Sequence, residues 1–176
     1  MASVQELDLP RPIESEITSL RNWLIFVASL KTTAWGAEVS AKQLEDQINS
    51  IAQRHSPERI AEALIATVPD VPKKHGDHYH WVIYQDGPER HGPLVTLSQI
   101  EPYSNQNPTE HEHSNCIEVV LPLNDGLVSK VTENGQPETY PLEPLSAFSI
   151  PKGVTHSDFN EGGNTVYYVI LRRQLF

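Results

Sequence analysis

From Ile13 the apolar positions recur at three- and four-residue steps: Ile13, Ile17, Leu20, Leu24 and Val27, with Trp23 and Phe26 widening the stripe. That is the period of an amphipathic helix. The spacing predicts a helix ending near Thr32–Gly36, where β-branched residues and a glycine accumulate. Ser40 with Gln43 three residues on is a capping-box pattern and predicts a second helix, with Leu44, Ile48 and Ile51 as its stripe. Ser56 and Pro57 suit the N-cap and first position of a third helix, which runs through Ile60, Leu64 and Ile65 and stops before Pro69. Residues 13–70 are therefore expected to form a helical segment that packs on the rest of the chain or on a second subunit. Residues 1–12, polar and carrying Pro10 and Pro12, read as a flexible arm.

The texture changes at VPDVPKK, residues 68–74, where two prolines mark a linker or entry loop. No helical period follows. Short strands are expected at Tyr79–Gln85, Pro93–Ile100, Thr109–His113, Ile117–Leu123, Leu127–Thr132, Ser146–Ile150 and Thr165–Leu171. Turn chemistry separates several of them: Asp86-Gly87-Pro88, Asn124-Asp125-Gly126, Glu161-Gly162-Gly163 and above all Asn134-Gly135, a strong hairpin signal. Many short strands with turns between them predict a mainly β sandwich or barrel.

Composition narrows the classes. The chain has 176 residues and a formal net charge of −10, long enough for a full core and too acidic for sequence-independent nucleic-acid binding or a polybasic membrane contact. Cys116 is the only cysteine, which excludes an internal disulfide and a cysteine-based zinc site. No positively charged segment followed by an apolar one opens the chain, so no leader is expected and the cytoplasm is the expected location.

The chemistry concentrates in TEHEHSNCIE, residues 109–118, and PKGVTHSDFN, residues 151–160. Side chains alternate across a strand, so His111 and His113 share a face. Glu118 has the wrong parity to join them along one uninterrupted strand, and Ser114-Asn115-Cys116 must bend or bulge to bring its carboxylate back. His156, introduced by Pro151 and Gly153, supplies a distant fourth group. An HxH pair alone is a weak signal, because two histidines on a surface strand are commonplace. Three imidazoles and a carboxylate suit one divalent metal, Fe(II), Mn, Ni, Co or Zn, without choosing among them, and leave positions open for substrate or O2.

Other residues carry softer signals. His75, His78 and His80 form a second histidine-rich patch. It reads as an exposed edge strand, a pocket entrance, a proton shuttle or a second metal site. Tyr167 and Tyr168 alternate, so one of them faces the interior. Tyr167, Tyr168 and His80 are the candidate catalytic residues. Trp81, Tyr84 and Phe148 read as core or pocket wall, His91 as a solvent-exposed turn residue, Cys116 as a small buried thiol, and Arg172 and Arg173 as a solvated strand end.

The two segments resemble the paired motifs of the cupin superfamily. The first motif is matched by His111, His113 and Glu118, with Gly126 one residue late and Ser104 or Asn105 at the opening glycine. The second is matched by Pro151, Gly153, His156 and Asn160, with Leu145 at the leading glycine. The resemblance covers residues 75–176. It implies a cupin double-stranded β-helix (jelly-roll) barrel after the N-terminal helical segment, holding one divalent metal through His111, His113, Glu118 and His156. A weaker similarity of layout links the chain to cysteine dioxygenase-type thiol dioxygenases. Those enzymes hold the substrate carboxylate with an arginine where this chain has Trp81, and they lack the glutamate ligand. The first functional expectation is a mononuclear non-haem Fe(II) dioxygenase acting on a small organic molecule and O2, without nucleic-acid or membrane partners and able to form a homodimer. A lyase, isomerase or decarboxylase using the metal as Lewis acid and a non-catalytic small-ligand-binding cupin are the alternatives.

Overall fold

The computed structural model describes residues 12–88, 91–104 and 110–176. Among the described residues, three helices precede the strands: α1 (Ile13–Ser29), α2 (Ala34–Ala52) and α3 (Pro57–Ile65). Nine strands follow: β1 (Lys73–His75), β2 (His78–Gln85), β3 (Leu94–Ile100), β4 (Cys116–Pro122), β5 (Leu127–Glu133), β6 (Gln136–Pro141), β7 (Phe148–Ile150), β8 (Thr155–Asn160) and β9 (Val166–Gln174). They form a six-stranded sheet ordered β1-β2-β3-β9-β4-β7 and a three-stranded sheet ordered β6-β5-β8, and every pairing between strands is antiparallel. This is a jelly-roll barrel with a helical N-terminus.

The alternation of side chains divides the six-stranded sheet into two working faces. One face carries Val95, Leu97, Val119, Leu121, Val169 and Leu171, which join the helical stripe of Ile13, Ile17, Leu20, Leu24, Leu44, Ile48, Ile60 and Leu64 in one buried cluster. The other face turns Ile100, Val120, Val166, Tyr168 and Ile170 into the barrel, together with Leu127 and Ile150. No described helix is long and apolar enough to cross a membrane.

The helix boundaries correct two expectations: α1 ends at Ser29, short of Thr32–Gly36, and the next helix starts early. α2 begins at Ala34, not Ser40, because the Thr33 side chain accepts a hydrogen bond from the Gly36 amide and caps the end. Ser40 is buried inside the helix and donates back to the Ala37 carbonyl. A capping residue must leave the helical conformation, and tertiary burial holds Ser40 within it. α3 starts as expected, with Ser56 accepting from the Arg59 amide and Pro57 in the first turn.

Among the strands, Thr109–His113 does not form one. Thr109 lies outside the described residues, and His111 makes only an isolated bridge to His156. Three strands lie where no strand was expected: β1 within and after the proline-marked linker, fully exposed β6, and β8 carrying His156. The Asn134-Gly135 turn does join β5 to β6, with Glu133 paired to Gln136. Both turn residues have positive φ, 50° and 75°, as the twist of a two-residue hairpin requires.

Candidate metal centre

Four local devices position the central side chains. Ser114 and Asn115 form a turn, with Asn115 at a φ of 57°. That left-handed residue breaks the strand before β4 and reverses the parity of Glu118, which then faces inward beside His113. Asparagine tolerates this conformation better than most residues. The His111 amide donates to the His156 carbonyl at 3.1 Å, and the His156 amide returns the bond to the His111 carbonyl at 2.8 Å. The Gly153 amide donates to the His113 carbonyl at 3.0 Å. The two histidine-bearing segments are thus joined by their backbones.

Asn160 anchors the far end of β8. Its amide nitrogen donates to the carbonyls of Ile100, Glu101 and Asn164, and its Oδ1 accepts from Gly162. Gly126, at a φ of 118°, leaves room for this side chain, since a Cβ there would stand 2.7 Å from the Asn160 Oδ1. Leu145, which occupies a glycine position of the resembled motif, keeps the glycine-like backbone with a φ of 63°. Its amide donates to Pro122 and its carbonyl accepts from Asn49, bonds that hold a conformation unfavourable for a leucine. Ser104 pairs with Asn160; Asn105 lies outside the described residues.

The result is a cluster of three imidazoles. One ring nitrogen from each of His111, His113 and His156 lies within 4.8 Å of the others. Glu118 sits between two of them, with Oε1 3.2 Å from His113 Nε2 and Oε2 3.0 Å from His156 Nε2. His113, Glu118 and His156 are almost fully buried. Burial alone would raise the Glu118 carboxyl, but His113 and His156 hold it well below the usual carboxylate range. Burial would lower the His156 imidazole, and Glu118 reverses the effect and raises it.

The arrangement fits a divalent ion. His156 Nε2 and Glu118 Oε2 are buried against each other at 3.0 Å, and a cation shared by a neutral imidazole and a carboxylate would satisfy the lone pairs of both. The donors are imidazole and carboxylate; the thiol of Cys116, buried nearby, is turned to the His91 carbonyl at 3.4 Å. That donor set suits Fe(II), Mn, Ni, Co or Zn without selecting one.

The cluster lies in a cavity of about 490 Å³. Arg172 also lines it, contrary to the expectation of a solvated strand end. Its side chain is buried because Arg172 pairs with Glu118 across β9 and β4 on the inward row. Its Nε donates to the Gly92 carbonyl at 2.8 Å, and its Nη1 lies 3.8 Å from Glu118 Oε1 and 3.3 Å from His113 Nδ1. Arg173 is buried too, but on the helical side, donating to the carbonyls of Leu30 and Gly36 and to Ser40. Asp158 is a further cavity residue that sequence reasoning missed. Its position two residues after His156 on β8 was the available signal. Burial, then the charge of Glu118, raises its carboxyl to about 6, with His156 opposing.

The tyrosine pair divides as alternation requires. Tyr168 is buried in the barrel and lines the cavity, whereas Tyr167 packs toward the helices and does not line this cavity. His80, Ser98 and Tyr168 form one cross-strand row over β2, β3 and β9. His80 Nδ1 shares a 2.7 Å hydrogen bond with Ser98, whose hydroxyl also partners Tyr168. Burial, reinforced by Asp158 and Glu118, pushes the Tyr168 phenol well above its ordinary value. Trp81 occupies a row with Leu97, on the opposite face from His80, and stacks on Tyr79. Among the described residues lining the cavity, the arginine comes from β9, not from β2. Tyr84 packs toward the helices beyond a bulge in β2, and Phe148 lies in the barrel.

No family model and no curated protein matches the chain. The chain is similar to several solved structures. KdgF from Halomonas sp. is 10% identical with a TM-score of 0.43, covering 60% of this chain and 88% of that one. The Schizosaccharomyces pombe Cnp3 cupin domain is 13% identical at 0.43, covering 60% and 69%. The Lactobacillus farciminis oxalate decarboxylase formate complex is 14% identical at 0.47, covering 60% and 31%. These are likenesses of fold at low identity. Two antiparallel sheets close around an inward-facing site, and the two histidine segments are joined by their backbones, which is the jelly-roll arrangement expected from the paired motifs.

Proposed function

We propose that this protein is a metal-dependent enzyme in which His111, His113, Glu118 and His156 hold one divalent ion, and that it acts as a mononuclear non-haem Fe(II) dioxygenase on a small organic molecule. The observation that carries this reading is the convergence of three imidazoles and a carboxylate on one buried point of a 490 Å³ cavity. A cavity of that size suits a small-molecule ligand. An ion held there supplies Lewis acidity and, as Fe(II), redox chemistry toward O2.

The remaining roles belong to the chain. Glu118 stays ionised and neutralises part of the ion's charge. Tyr168, its phenol held neutral, offers a hydroxyl as hydrogen-bond donor to substrate. The Ser98 hydroxyl and the His80 imidazole connect that phenol to the outer part of the cavity, a route along which a proton can exchange with solvent. Ile170 and Val82 supply apolar wall and limit water.

The test is metal analysis of protein purified without added metal, followed by oxygen uptake by the Fe(II)-loaded protein with thiols, phenols and diketones. The reading expects about one ion per chain, its loss in His113→Ala and Glu118→Ala, and oxygen uptake with iron alone. An ion that survives both substitutions overturns the site. Turnover with Zn or Ni but no oxygen uptake transfers the reaction to Lewis-acid lyase or isomerase chemistry.

A further inference from the structure

The β1–β2 hairpin adds something to this cavity that the metal reading does not use. Lys73 pairs with His80 and His75 pairs with His78. These four residues occupy one face of the hairpin, the face continuous through His80 with the inward row of Ser98 and Tyr168. All four line the cavity. The chain as a whole has 23 acidic residues against 13 basic ones, yet among the described lining residues this end of the cavity collects a lysine and three imidazoles, with Asp77 in the turn beside them.

A second metal site is a poor account of this cluster. The ring centroids of His75 and His78 stand 5.7 and 6.3 Å from that of His80, against 4.4 to 5.1 Å within the central cluster. The Lys73 ammonium, on the same face and donating to Gln85 at 3.4 Å, repels a cation. Burial lowers the His78 imidazole, with Asp77 opposing, and the neutral ring still offers one N–H donor. One flexible ammonium surrounded by imidazole donors suits an anion.

We propose that the inward face of the β1–β2 hairpin is an anion subsite that holds a substrate carboxylate at the cavity mouth. On the metal-dependent reading, on which this assignment of a substrate rests, the ligand is a small organic acid. Its carboxylate sits against Lys73, His75 and His78, and its other end reaches toward Glu118 and the three central histidines.

The test measures binding of succinate and of its uncharged analogue succinamide by calorimetry, using the protein as purified and after chelator treatment. Wild type is expected to bind succinate and not succinamide. Lys73→Gln with His78→Gln weakens succinate about tenfold, the low end for charge-assisted hydrogen bonds at a half-exposed site. Lys74→Gln removes the same charge from the opposite face of the hairpin, where Lys74 lies over Tyr79, and is expected to leave affinity unchanged. A thermal melt matched to wild type checks the double variant, and Lys73→Glu alone repeats the test with a single exposed residue. Equal binding of succinamide, no binding of succinate, or equal losses from Lys73→Gln and Lys74→Gln overturns the subsite. Binding that weakens as expected in a protein without a bound ion upholds the subsite while the metal reading fails.

Discussion

Arg172 and Arg173 are neighbours on one strand, both buried, and they belong to different worlds. Arg173 reaches into the helical layer and meets carbonyls and a hydroxyl. Arg172 reaches into the barrel and meets Glu118 and His113. The same division runs along all of β9. Val169 and Leu171 belong to the cluster shared with the helices, while Tyr168 and Ile170 border the cavity. One face of the sheet is devoted to cohesion, the other to a polar site that burial makes costly. The helices let one sheet serve both ends: they bury the outer face thoroughly enough that the inner face can hold charge.

The largest expected effect tests that division directly. Leu171→Ala opens a cavity in the fully buried layer and should cost about 3 kcal/mol, while Ile170→Ala, which only enlarges an existing cavity, should cost about 1–2. Urea unfolding of the metal-free protein compares them; equal costs would dissolve the distinction between the faces. The arginine pair comes next. Arg172→Met removes a cation from beside a buried carboxylate and should cost about 3 kcal/mol, whereas Arg173→Met, with no acid beside it in the described structure, should cost about 1. Similar values for the two would mean that the Glu118 contact contributes nothing.

Asp158 sharpens the comparison through pH. Its folded carboxyl titrates at about 6 against an ordinary 3.8, so the folded state favours the protonated form. The residue therefore opposes folding increasingly as pH rises from about 4 to about 6, with the full cost above that. Asp158→Asn should stabilise the metal-free protein at pH 8 by about 2 kcal/mol and change little at pH 4. A gain independent of pH would contradict the assignment. The smallest effect lies in the outer layer. Thr33→Ala should cost about 1 kcal/mol by removing the cap of α2, and thermal unfolding measures it; no loss would leave the helix start uncapped by Thr33.

Legibility followed the range of the interaction. The stripe from Ile13 to Val27 and the Ser56-Pro57 helix start depend on residues within a few positions of one another, and both were readable. So was the need for a bend between His113 and Glu118, because parity alone demands it. Ser40 misled because a capping pattern and a buried mid-helix serine look the same until the burial is known. β6 and β8 were missed because neither carries a clean alternation: β6 is exposed throughout, and β8 is polar because its inward side chains line the site.

The order of histidines and carboxylate, the turn residues and the two-residue period of the strands determined that one barrel would bring two polar segments together. The chain order could not say which face of β9 met which neighbour. Arg172, Asp158 and Tyr168 entered the cavity, and Arg173, Trp81 and Tyr167 were turned from it, only once strands distant in sequence had chosen their register. A shift of one residue exchanges those two sets. What held the register is the helical layer, because it buries one set of alternating side chains and leaves the other facing the cavity.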